Sequence, residues 1–160
     1  MAITYEPIST TTLGSAASSV TFSSIPATYT DLVLICSSSN TAGNRSFLME
    51  INSDTGSNYS YTYMQGDGSS AASPRASNQT KMQIANFTTV RGTAIAQLQN
   101  YSNTTTYKTV LSRGNAADTV VQAFVGLWRS TAAINSITLS LNADNLAATS
   151  TFTLYGIKSA

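Results

Sequence analysis

No histidine occurs anywhere in the 160 residues. That absence removes imidazole as a general base, as the middle member of a catalytic triad, as a zinc or copper ligand and as a proton switch near neutrality. There is one cysteine, Cys36, so neither an internal disulfide nor a thiolate metal cluster can form. It sits in the most apolar segment of the chain, where cysteine behaves as a small buried hydrophobe. Charge is scarce as well: Asp, Glu, Lys and Arg make up 9% of the residues, against about 25% in an ordinary soluble domain. Eight basic and seven acidic residues leave a formal net charge of +1, and no two basic residues are adjacent. Nucleic-acid binders displace counterions from phosphate with clustered Lys and Arg, so no nucleic acid is expected as a partner. No apolar run approaches the ~18 residues of a membrane-crossing helix, so no membrane partner is expected either. The opening MAITYEPIST lacks the basic and apolar regions of a secretory signal.

Ser, Thr and Asn take the place of charge. They create six N-x-S/T triplets, at Asn44, Asn58, Asn78, Asn86, Asn100 and Asn103, which this composition yields by chance. A surface so poor in charge favours association, and it suits a protein covered by copies of itself or by a larger assembly.

The organising stretch is Ser18–Ser39, SSVTFSSIPATYTDLVLICSSS. Val20 and Phe22 alternate as in a strand with one wet face, and Leu32-Val33-Leu34-Ile35-Cys36 is a continuous run expected of a strand covered on both sides. Asp31–Ser38 is therefore expected as a central strand, with Thr119–Arg129 as a second strand buried on both sides over part of its length. Ile3–Ile8 reads as an edge strand ended by Glu6-Pro7. Alternating segments recur at Arg45–Ile51, Lys81–Phe87, Thr93–Tyr101, Tyr107–Ser112, Ile134–Leu141 and Thr151–Ile157. Turn formers separate them, including Asn52–Asn58, Asn115–Asp118 and Asn142–Asn145. Gln65–Asn78 is the longest stretch without a pattern and is expected to be a long loop.

Short strands with turn signals about every ten residues predict an all-β protein. The expected fold is a two-sheet antiparallel β-sandwich, jelly-roll-like, with eight to ten strands in a single domain spanning residues 1–160. Residues 1–11 are expected as an N-terminal arm or edge strand.

Seven carboxylates exist: Glu6, Asp31, Glu50, Asp54, Asp67, Asp118 and Asp144. A glycosidase needs only two, but Asp31, Asp54, Asp67, Asp118 and Asp144 lie at or beside turns, where Asp caps its own backbone. Glu50 reads as a solvated or intersubunit charge. The Asn52-Ser53-Asp54 and Asn142–Asn145 clusters hold oxygens a calcium ion would accept, without an EF-hand pattern, and read as turns. Gly66-Asp67-Gly68 is a loop, not a phosphate cradle. No catalytic residue, cofactor or metal ligand is assigned, and the chain is not expected to be an enzyme. Tyr59, Tyr61 and Tyr63 fall at spacing two on one strand face. They are expected either to pack into the protein or to form a contact platform. Tyr5 on the N-terminal segment and Arg75 in the 66–78 loop complete the candidate partner-contact residues.

Three segments, VTFSSIPATYTDL, INSDTGSNY and the terminal FTLYGI, resemble those of small β-sandwich virion proteins of tailed bacteriophages. Members serve as capsid cement (decoration) proteins or as tail-fibre and tailspike domains. The resemblance implies a structural virion component and carries over no site residue. In the cement setting it implies the major capsid protein as partner, a homo-oligomer with a trimer favoured, and a place on the outer capsid surface after synthesis in the bacterial cytoplasm. A chain one domain long, with no coiled coil or β-helix shaft, favours that setting. The alternative is a tail-associated receptor-binding module recognising host glycan through Tyr59, Tyr61 and Tyr63.

Overall fold

A computed structural model describes residues 4–116 and 118–158. Met1–Ile3 of the expected arm and Ala117 of the 115–118 turn lie outside them. The fold is all-β, with two antiparallel sheets forming a sandwich. The strands are β1 (Tyr5–Thr12), β2 (Ser19–Phe22), β3 (Asp31–Ser38), β4 (Arg45–Ile51), β5 (Tyr59–Gly66), β6 (Ala71–Ala72) and β7 (Arg75–Gln79). They continue with β8 (Met82–Phe87), β9 (Gly92–Leu98), β10 (Lys108–Ala116), β11 (Val120–Trp128), β12 (Ile137–Leu141) and β13 (Thr151–Ile157).

The large sheet has the order β1-β13-β3-β9-β10-β11-β5-β6, with β7 also paired to β5, and the small sheet the order β2-β12-β4-β8. From β2 onward the chain changes sheet repeatedly: β2 small, β3 large, β4 small, β5–β7 large, β8 small, β9–β11 large, β12 small, β13 large. Crossing between two layers in this way is the winding of a jelly roll.

The alternation read from the sequence places the core. Leu32, Leu34 and Cys36 of β3, Phe152 and Leu154 of β13, and Leu98 of β9 face inward and are buried. Phe47, Met49 and Ile51 of β4 meet them from the small sheet. Phe47 touches both layers, with its ring 4.8 Å from Phe87 of β8 and 6.2 Å from Phe152 of β13. Ser112 Oγ donates across the layers to the Ile84 carbonyl at 2.7 Å, which satisfies a buried acceptor on β8. Gly126 makes room for β8: a Cβ there would lie 2.1 Å from Met82 Sδ.

The structure corrects the sequence reading in four places. The described residues form thirteen strands, not eight to ten, and Gln65–Asn78 is not an irregular loop, since β6 and β7 fold back onto β5. A two-residue strand and the weakly patterned Arg75–Gln79 offer no apolar alternation to detect. Over residues 5–12 the N-terminal segment lies as an edge strand on β13 through Thr12, past Pro7, with a bulge at Ile8. At an edge the missing N–H of Pro7 leaves no ladder bond unmade. Finally, β3 is covered on its outer face only in part, and no outward residue of β11 is buried. Val33 is buried on the other side of β3, but Ile35, Val121 and Val125 are exposed.

Candidate functional site

The two sheets turn unlike faces outward. On the small sheet the outward positions of β2 and β12 are polar, and those of β4 hold Leu48 between Ser46 and Glu50: Thr21 and Thr138 share a hydrogen bond at 3.0 Å, and Glu50 pairs with Lys81 at 3.3 Å. On the large sheet the strand registers line up outward side chains, apolar ones interspersed with polar ones, in rows running across the strands. One row is Val33, Gln97, Leu111, Val125, Thr62 and Arg75. The next is Ile35, Ile95, Arg113, Ala123 and Met64.

Eight large hydrophobic residues are exposed among those described, and six of them, Tyr5, Ile35, Met64, Leu111, Val121 and Val125, lie on this face. Met64 is 66% and Val121 64% exposed. Solvent-exposed apolar side chains scattered singly are ordinary, whereas a contiguous patch of them on a sheet marks a surface that another molecule covers. A shallow cavity of about 220 Å³ opens beside Arg113, lined by Ile95, Gln97, Leu111, Ser112, Arg113 and Ala123. Apolar side chains with Met and Arg, and no Lys or Glu, match the composition of the centre of a protein–protein interface.

The five sequence-derived contact residues do not form one site. Tyr5 lies at the edge of the outer face, 51% exposed, its ring edge-on to Tyr155 at 6.4 Å. Arg75 lies beside Thr62 near the opposite edge. The tyrosine row points the other way, inward. Tyr59 is fully buried and is not a contact residue. It stacks on Trp128 at 6.5 Å, and its hydroxyl meets the Ile51 N–H and the carbonyls of Ile51 and Asp54. Burial pushes its pKa up to about 12. Tyr61 and Tyr63 are half-buried, and Tyr63 stacks on Phe124 at 4.6 Å. A glycan platform is thereby reduced from three phenols to two.

The remaining chemistry-bearing groups are absorbed by the fold. Burial pushes the Cys36 thiol well above its ordinary range, so the reactive thiolate is suppressed. Lys108 is buried, donates to the carbonyls of Thr106 and Thr131 at 2.8 and 3.2 Å, and has its pKa lowered by burial. Asp54 is engaged by N–H donors from Gly56, Asn58 and Trp128, and Asp144 pairs with Arg45. Those partners occupy both turns that offered calcium-type oxygens. Asp67 accepts from the backbone and hydroxyls of Ser69 and Ser70, which lower its pKa.

The exposed residues of β11 and β10 were missed because a strand apolar on both faces reads equally well as doubly buried. The signal was there in Val121 and Val125 alternating with buried Phe124.

No family model matches the chain, and no curated protein matches it at a significant level. Among solved structures, alginate lyase Aly36B in complex with alginate trisaccharide is similar over 93% of this chain and 80% of its own, at 8% identity and a TM-score of 0.35. A toad ovary galectin in complex with thio-digalactose is similar over 78% of this chain and 100% of its own, at 10% identity and a TM-score of 0.28. A protein of unknown function from Shewanella oneidensis MR-1 is similar over 98% of this chain and 77% of its own, at 8% identity and a TM-score of 0.28. Likenesses this low carry no functional inference.

Proposed function

We propose that this chain is a structural protein of a tailed-bacteriophage virion, acting as a capsid decoration protein that binds the outer capsid and supports contacts between capsomers. The observation that carries the reading is the cluster of exposed apolar side chains on the outer face of the large sheet, a kind of patch that marks interaction surfaces. The scarcity of charge over the whole chain supports the same conclusion, as do the three segments that resemble small virion β-sandwich proteins. The role is binding without chemistry, and its partners are the major capsid protein and other copies of this chain. Many symmetric, individually weak contacts then add through avidity.

Copy number tests it. Quantitative mass spectrometry of purified virions is expected to find the chain in numbers comparable to the major capsid protein, with labelled antibody decorating heads. The few copies of a tail component, or label confined to the tail, would overturn the capsid assignment.

A further inference from the structure

We propose that the outer face of the large sheet is the docking site for a second copy of this chain, the two large sheets packing face to face. The inference rests on the reading that protein covers this face, and it commits to which protein does so first.

The area is the first argument. Eight strands at about 4.8 Å spacing, with outward residues about 6.7 Å apart along each strand, give a face roughly 34 by 20 Å. That is about 700 Å² in projection, close to the ~800 Å² per partner that a stable specific interface needs. A sheet face also meets its own kind well, since two sheets stack about 10 Å apart with their inner side chains interdigitated.

Charge is the second. The outward strand positions carry Arg113 and Arg75, and one carboxylate, Asp31, which occupies the row beyond Val33 together with Thr109 and Leu127. A two-fold axis running across the strands along the Leu111–Val125 row sets the row of Arg113 over the partner's row of Asp31, Thr109 and Leu127. It also separates the two Arg113 positions by about 13 Å along the strands. Like charges are kept apart, each Arg113 standing opposite the partner's Thr109 on the same strand. Leu111 and Val125 then lie at the centre, where interface energy concentrates. Arg75 sits on a strand outside the main path of the sheet, where its head can turn into solvent.

Sedimentation velocity on the whole chain, across a wide concentration range, tests this. A mass at least twice the 16.8 kDa chain is expected, falling to the single-chain value in Leu111→Glu and in Val125→Glu. Val90→Glu, at an exposed apolar position off the face, is expected to leave the oligomer intact. Met64 gives a readout on the unaltered protein: it is expected to resist dilute peroxide where the oligomer forms and to oxidise on dilution. That measurement decides the matter even if the glutamate variants fail to fold. A single-chain mass at every concentration, or an oligomer in which Met64 stays freely oxidisable, overturns the inference. Met64 protected on capsids but not in the free protein would also overturn it, assigning the face to another protein and leaving the virion reading standing. A tail-like copy number would sink the virion reading and leave this one untouched.

Discussion

The indole Nε1 of Trp128 donates to Asp54 Oδ2 at 2.7 Å, tying the end of β11 to the turn between β4 and β5. The same carboxylate accepts from the Gly56 N–H at 2.9 Å and from Asn58 Nδ2 at 2.9 Å. This is why INSDTGSNY folds as it does: Asp54 caps the turn locally and reaches a buried aromatic 74 residues away.

Burial raises the pKa of Asp54, but the donors from Trp128, Asn58 and Gly56 outweigh it, and the carboxyl ends below its ordinary 3.8. A depressed carboxyl contributes stability that is complete above the unfolded-state value and is lost as pH falls through the folded one. Asp54→Asn is therefore expected to flatten the fall in stability below about pH 4. At neutral pH it should cost about 1–3 kcal/mol, because the indole N–H loses a charged acceptor. Urea unfolding across a pH series checks both.

Tyr59→Phe removes a hydroxyl that accepts from the Ile51 N–H at 3.0 Å and meets two carbonyls. A buried donor left without a partner costs about 1–3 kcal/mol. Tyr63→Phe is expected to stay within about 0.5 kcal/mol, as surface changes do. Denaturation midpoints separate the two. An absorbance titration should show Tyr59 ionising near pH 12, with Tyr61 and Tyr101 also raised by burial.

Gly126→Ala drives a Cβ to 2.1 Å from Met82 Sδ and 2.7 Å from its Cγ. Overpacking of this kind costs about 1–3 kcal/mol. The position faces β8, so the strain falls on the contact between layers. Met82→Ala combined with it is expected to cost less than the two single changes added, which a double-mutant cycle measures.

Lys158 Nζ donates to Glu6 Oε1 at 2.8 Å and the Tyr29 hydroxyl to Glu6 Oε2 at 3.2 Å. The hydrogen bond from Lys158 lowers the pKa of Glu6 in spite of desolvation, and the reciprocal bond raises that of Lys158. The pair's contribution is lost as pH falls through the lowered value of Glu6, and again as it rises through the raised value of Lys158. Hydrogen exchange in β1 is expected to quicken at both extremes, at high salt and in Glu6→Gln, while exchange in β9 and β10 is unchanged.

The sandwich was legible because one-sided burial leaves a period of two, as in Val20 and Phe22 or Phe47, Met49 and Ile51. Turn chemistry was equally legible at Asp54, whose side chain caps the backbone two residues on. The docking face was not. Alternation says which residues share a face and nothing about what lies beyond it, so Val121 and Val125 looked like core. The tyrosine row showed the converse, since Tyr59, Tyr61 and Tyr63 share a face that only the large sheet's partner layer could reveal as inward. Pairing of β6 and β7 with β5 is a backbone matter, and Ala71–Ala72 has no side-chain pattern to announce it.

β1 is hydrogen-bonded to β13 alone, and β13 fills the space between β1 and β3. A nascent chain therefore keeps residues 5–12 waiting until residues 151–157 have left the ribosome. Until then the bare edge of β3 is open to any extended segment within reach, the open-edge hazard that folded proteins otherwise guard against. Losing β13 would release β1 along with it.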